Sequence, residues 1–272
     1  MRDNGGLDGR VSSLLSRADA TSSLPRLGGM ARPDGVVIVS ERHWAFAGRD
    51  GSLREGTMPS LPAWIHGIPF ARGLARLGLS LAPLFRRSGV AGRREKPFLL
   101  AALVAPFLLF VLPGSSRTPI GVAATLALAV WMLRGRTLRL HGAEHRAIAA
   151  VEERSLVATW EGHVRPTRFS LRCGTNFAAL ALPVTWLADR FWPLTPALWT
   201  PVAVTAVALA ATMELWRFAQ VRQLRALLLP GLALQRLTTR EPTLEETRVA
   251  LRAVASVLER DLHEAPLLSV SG

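Results

Sequence analysis

Four strongly apolar stretches of this chain carry no charged residue, although the whole sequence has a formal net charge of +13. They are 97–116 (PFLLAALVAPFLLFVLPGSS), 118–133 (TPIGVAATLALAVWML), 173–188 and 191–213. Each is close to the roughly 20 residues that one bilayer crossing needs. Charge and apolarity are thus segregated along the chain. The pattern predicts a mainly α, polytopic membrane protein, with four transmembrane helices in two hairpins at 97–133 and 173–217.

Topology follows from the arginines. Arg86, Arg87, Arg93, Arg94 and Lys96 precede the first run, and Arg134, Arg136, Arg139, Arg146, Arg154, Arg165, Arg168 and Arg172 lie between the second and third. The hairpin tips hold only Arg117 and Arg190. Because positive charge stays inside, both termini and the central segment 134–172 are expected in the cytoplasm, with a multi-pass placement in a bacterial cytoplasmic membrane. The basic balance is then a membrane property, so the expected partners are membrane lipids and not nucleic acid.

Residues 1–27 are polar, without an apolar core, and read as a disordered tail rather than a signal peptide. The β-branched run Val36–Val39 and the Asp50-Gly51 turn predict a small β unit over 28–60. Segment 61–96 begins with helix-breaking prolines and then shows helical apolar spacing over Phe70–Phe85, which predicts an interfacial amphipathic helix. The C-terminal segment 218–272 holds a second amphipathic helix. Thr243 and Glu246 are spaced as its capping box, and Thr247, Leu251, Val254, Leu258 and Leu262 form its apolar face.

Chemistry concentrates after the second apolar run, in Leu140-His-Gly-Ala-Glu-His-Arg. On a helix His145 lies about 40° around from His141, Glu152 about 20°, and Glu144 about 60° to the other side. Two imidazoles and a carboxylate on one stripe suit a divalent metal, zinc first, and His-x-x-Glu-His inverts the zinc-protease helix motif. The spacing makes His141, His145 and Glu152 candidate ligands and Glu144 a candidate general base. The bland alternative is an ion-pair network on a basic helix, with Glu144 paired to Arg146 or Arg139. Gly142 weakens such a helix, so packing must hold it. Cys173, the only cysteine, and Glu214 are possible additional members, and Arg172, Arg217 and Arg240 could hold an anionic substrate group. His43, His66 and His163 have no partner spacing and read as surface or packing residues.

Five ordered motifs carry a resemblance. They are Gly28-Gly29-Met30-Ala31-Arg32-Pro33-Asp34-Gly35-Val36, the His-Gly-Ala-Glu-His of 141–145 with Glu152 downstream, Arg172-Cys173-Gly174-Thr175, Glu214-x-x-Arg217, and Pro230-Gly231-Leu232 through Thr238-Thr239-Arg240-Glu241-Pro242. In these the chain resembles the YqhQ family of bacterial membrane proteins, a domain of unknown function described as a predicted metal-dependent enzyme. The resemblance runs from about Gly28 to Leu258. It departs at Ser170-Leu171, where the family has His-Pro, at Asp34 for glutamate, at Val37-Ile38-Val39 for a Met-rich stretch, and at Leu140 and Val151 for aromatics. Together the readings predict a metal-dependent enzyme, plausibly a hydrolase, at the cytoplasmic membrane face. The competing class is a non-enzymatic scaffold or regulator with a structural His/Glu site.

Overall fold

Four short strands follow the first helix in the computed structural model of the chain. Helix α1 is Asn4–Ala20, and β1 (Gly28–Arg32), β2 (Gly35–Val39), β3 (His43–Gly48) and β4 (Leu53–Thr57) follow it. Helices α2 (Ala63–His66), α3 (Ala71–Ser80) and α4 (Ala82–Phe85) come next. The remainder comprises α5 (Gly135–Glu152), α6 (Leu156–Glu161), α7 (Gly174–Arg190), α8 (Thr200–Val221), α9 (Arg225–Thr238) and α10 (Leu244–His263). The structure describes residues 4–85, 89–90, 96–97, 100, 116, 120, 123, 135–194, 197, 199–222 and 224–263.

The chain divides into two compact units. The first comprises residues 1–60, 135–170 and 239–272, and the second 61–134 and 171–238.

In the first unit the strands form an antiparallel meander in the order β1-β2-β3-β4. The β3–β4 turn closes at Asp50-Gly51, where Gly51 takes φ +82° and the Asp50 carboxylate accepts from the Ser52 N–H (3.0 Å) and hydroxyl (2.6 Å). Strand β3 is buried along its whole length, and β2 along Gly35–Ile38. Helix α10 packs on these two strands, and α5 packs on β1 and α10. The capping box forms at α10, with the Thr243 N–H donating to Glu246 (2.9 Å) and the Glu246 N–H to the Thr243 hydroxyl (3.2 Å). Its Thr247, Leu251, Val254 and Leu258 enter the core beside Leu140, Ala143, Ala147 and Val36.

The expected tail is instead helix α1, and its Val11, Leu15 and Ala18 join the same core. Two reciprocal caps hold it. The Asp19 carboxylate accepts the first N–H groups of α6, from Leu156 (3.1 Å) and Val157 (3.0 Å). The Arg154 guanidinium in turn donates to the carbonyls of Ala18, Thr21 and Ser22 at the end of α1. A low-hydropathy segment therefore orders because its few apolar residues and its end groups all find partners.

In the second unit α7 packs between α8 and α9. At the α7–α9 contact, a Cβ on Gly231 would lie 2.5 Å from the Asn176 Cα, so only glycine permits this approach. Helix α3 is tied to α8 by Arg72, whose guanidinium donates twice to Glu214 (2.8 and 2.6 Å). The N–H of Phe70, a non-glycine residue at φ 66°, also donates to Glu214 (3.3 Å).

These findings correct the expected four-span fold. Among the described residues one helix, Thr200–Val221, is long and apolar enough to cross a membrane. It starts later than the predicted run 191–213 and carries Glu214 and Arg217 within it. The third run lies on α7, whose 17 residues rise only about 25 Å against a hydrocarbon core of about 30 Å. The first two runs lie outside the described residues, apart from a few isolated positions. The expected β unit is the four-stranded sheet of Gly28–Thr57, but with one candidate span among the described residues neither the four-span polytopic architecture nor the multi-pass placement stands.

Candidate functional site

Helix α5 carries the His-x-x-Glu-His motif, and its inward face fixes where the motif points. Leu140, Ala143, Ala147, Ala150 and Val151 are buried in the core of the first unit, which leaves the 141–145 turn against β1 and the 239–242 segment. Gly142 is required here, because a Cβ on it would lie 2.2 Å from the Arg240 carbonyl oxygen. The same crossing is held by a backbone hydrogen bond from Arg240 N–H to the Leu138 carbonyl (2.9 Å). Gly142→Ala should destabilise the first unit by about 1–3 kcal/mol through overpacking against backbone that cannot rotate away. Hydrogen exchange of α5 amides in variant and wild type reads this directly, and equal protection in both would show the crossing to be soft.

Glu144 is 5% exposed and lies under β1. A Cβ on Gly29 would lie 2.7 Å from the Glu144 Cγ, so glycine in the strand makes room for the carboxylate. Burial pushes its pKa up to about 7, against the lowering effects of nearby His141 and of a hydrogen bond accepted from the Ala31 N–H. Its Oε2 is buried and has no hydrogen-bond partner among the described residues.

His145 is 2% exposed, and its Nδ1 lies 2.7 Å from the Arg168 carbonyl oxygen. A carbonyl only accepts, so Nδ1 carries a proton, which leaves Nε2 as the ring position that can offer a lone pair. That Nε2 is buried and also has no hydrogen-bond partner among the described residues. The half-buried His141 ring stands edge-on to it, with centroids 4.4 Å apart and planes at 66°.

A second layer fixes the loop that orients His145. Arg146 donates through Nε to the Pro166 carbonyl (3.1 Å) and through Nη2 to Glu241 (2.6 Å). Arg168 donates to the other Glu241 oxygen (3.3 Å). The Arg146 guanidinium, with help from Arg168, holds the Glu241 carboxyl below the usual carboxylate range. An imidazole whose far nitrogen is clamped to a carbonyl and whose near nitrogen is bare is the arrangement metal-ligating histidines adopt. His141 and His145 thus offer two imidazoles from one turn, with the Glu144 carboxylate buried beside them.

The structure gathers only part of the predicted set. His141, Glu144 and His145 share one turn, whereas Glu152 is exposed at the end of α5, about 10 Å along the helix from His145. Arg240 crosses this turn through its backbone. Cys173, Arg172, Glu214 and Arg217 belong to the second unit. There Cys173 Sγ caps α7 by accepting from the Thr175 N–H (3.4 Å), and Glu214 is engaged by Arg72, with Arg217 at 3.9 Å. Residue spacing missed Gly29, Ala31 and the Arg146–Glu241 clamp. The conspicuous Gly28-Gly29 pair and the Arg240-Glu241-Pro242 motif were the available signals.

The model of the family described as "Protein of unknown function (DUF1385)" matches residues 95–260. "Uncharacterized protein YqhQ" of Bacillus subtilis (strain 168) is 33% identical over 139 residues, covering 48% of this chain and 43% of that protein. The match thus spans less than half of that relative's length. No solved structure matches the chain. The chain belongs to the DUF1385 family, the family of YqhQ.

Proposed function

We propose that the first unit is a metal-dependent hydrolase, with His145 and His141 holding a divalent metal such as zinc and Glu144 transferring the proton. The observation that carries this reading is the pair of bare buried atoms, His145 Nε2 and Glu144 Oε2, one helical step apart. An unpartnered imidazole nitrogen and carboxylate oxygen on one turn, beside the His141 ring, support a ligand there. A bound divalent metal would supply Lewis-acid activation of the substrate's electrophilic centre. The protein's own groups do the rest. The Arg168 carbonyl keeps the His145 lone pair directed outward, the Arg146–Glu241 clamp holds that carbonyl, and Glu144 accepts and returns a proton at Oε2. Gly29 leaves the carboxylate just enough room, and β1 shields one side of it from water.

We further propose that α8 anchors the chain in a bacterial cytoplasmic membrane, with lipids as its first partners. Apolar residues left exposed on α7 and α8, among them Leu182, Trp186, Val202, Val207 and Val221, support this reading.

The test is metal content of the purified full chain by mass spectrometry, beside His145→Ala and Glu144→Gln, with folding checked by size exclusion. Wild type should hold about one equivalent of a transition metal, and His145→Ala should lose most of it. A folded wild type that stays empty after incubation with zinc, manganese or iron would overturn the reading in favour of a scaffold.

A further inference from the structure

We propose that Arg136, Arg139 and Arg240 form a binding site for a phosphate group, so that the substrate of the site above is a phosphate-bearing molecule. This deepens the hydrolase reading and rests on it. The three arginines line one groove of about 590 Å³, with Glu241 as the only carboxylate in its wall among the described residues. That volume accommodates a phosphorylated small molecule or a lipid headgroup.

Charge makes the groove unusual. Both oxygens of Glu241 are already engaged, one by Arg146 at 2.6 Å and the other by Arg168 at 3.3 Å. No side chain of Arg136, Arg139 or Arg240 has a hydrogen bond, ion pair or ring contact among the described residues. Arg136 and Arg139 lie three residues apart on one helical face, where like charges repel. Arg240 is brought to the same face by its backbone bond to Leu138 and its crossing at Gly142. Three uncompensated guanidiniums around one space are stabilised by an anion, and their planar forks match the paired oxygens of a phosphate.

Position links the groove to the chemistry. Arg240 lines the groove with its side chain while its carbonyl sits over Gly142, so one wall of the groove is continuous with the chain that crosses the His141–His145 turn. The bland account is that these arginines only set membrane orientation, which requires no anion site.

The experiment uses full-length protein in a neutral detergent with a chelator present, and inorganic phosphate as the probe, read by phosphorus NMR titration. Wild type should bind phosphate, and Arg136→Gln/Arg139→Gln should weaken binding by at least about tenfold, with lysine at both positions restoring part of it. These side chains are exposed, so the substitutions leave the core untouched. His145→Ala should bind phosphate as wild type does. Loss of metal with phosphate binding intact would therefore count against the metal reading alone.

Repeating the titration in phosphatidylglycerol and phosphatidylcholine nanodiscs identifies the source. Weaker apparent phosphate affinity in phosphatidylglycerol assigns the groove to a lipid headgroup, and equal affinity assigns it to a soluble phosphate compound. Both outcomes support the site. Absence of binding at roughly 10 mM phosphate, or equal binding in the glutamine variant, would overturn it.

Discussion

Glu144→Gln is expected to stabilise the metal-free first unit at alkaline pH. The carboxylate is buried, and its pKa is pushed up to about 7 because the apolar surroundings disfavour the charge. In the unfolded chain it returns to about 4.5. Between these values the folded state holds a proton that the unfolded state has released. Stability is therefore full below about pH 4.5, falls as pH rises to about 7, and stays low above that. Burying the ionised group costs about 3 kcal/mol once deprotonation is complete.

Glutamine keeps the shape and the acceptor for the Ala31 N–H, but it cannot ionise. Its amide nitrogen occupies the unpartnered Oε2 position, at a cost of about 1 kcal/mol. The variant should thus be about 2 kcal/mol more stable than wild type at pH 8 and slightly less stable at pH 4.5. Opening free energies from hydrogen exchange on β2 and β3, in chelator, measure both points. Saturating metal should shrink the difference at pH 8, because a nearby cation stabilises the carboxylate. A variant less stable than wild type at both pH values would mean that Glu144 is held charged by partners, and its role as a proton carrier would fall.

The site was legible in the sequence where it is local. A five-residue motif on one helix specifies its own geometry to within a turn, so His141, Glu144 and His145 come together whatever surrounds them. Glu152 lies apart from that turn for an equally geometric reason. Angular agreement around a helix ignores the rise, and seven residues separate it from His145 by about two turns. What the motif could not disclose is contributed by distant chain. Arg168 donates its carbonyl, Glu241 clamps Arg146 across 95 residues, and Gly29 opens space for a side chain far along the sequence. Gly142 had already signalled by its helix cost that something must press on it, though not that the Arg240 backbone does. The fold was misjudged where hydropathy and length alone were available. A 16-residue uncharged run reads the same whether it spans lipid or forms a shorter helix such as α7, and α1 has too little apolar character to stand out.

Removing the carboxylate of Asp261 should be the most damaging single change in the first unit. His43 on β3 and Asp261 near the end of α10 are 1% and 3% exposed, and His43 Nδ1 lies 2.6 Å from Asp261 Oδ1. The contact joins residues 218 apart, which is why His43 read only as a packing histidine. Arg42, the residue before β3, adds a bond from its guanidinium to the Asp261 backbone carbonyl (3.3 Å), so the end of α10 is tied to the start of β3 and to the residue preceding it. Asp261→Ala deletes the acceptor and opens a small void, leaving Nδ1 without its carboxylate in a water-free place. Breaking a buried polar pair from one side typically costs about 3–5 kcal/mol. Asp261→Asn separates the contributions, since its carbonyl can still accept from Nδ1 while the charge is gone. If Asn loses only about 1 kcal/mol, the hydrogen bond carries the joint; if it loses as much as Ala, the charge does. Hydrogen exchange of β3 and α10 reads both variants in the metal-free chain. An alanine variant within about 0.5 kcal/mol of wild type would show that apolar packing along Val254 and Leu258 holds the helix on the sheet without this pair.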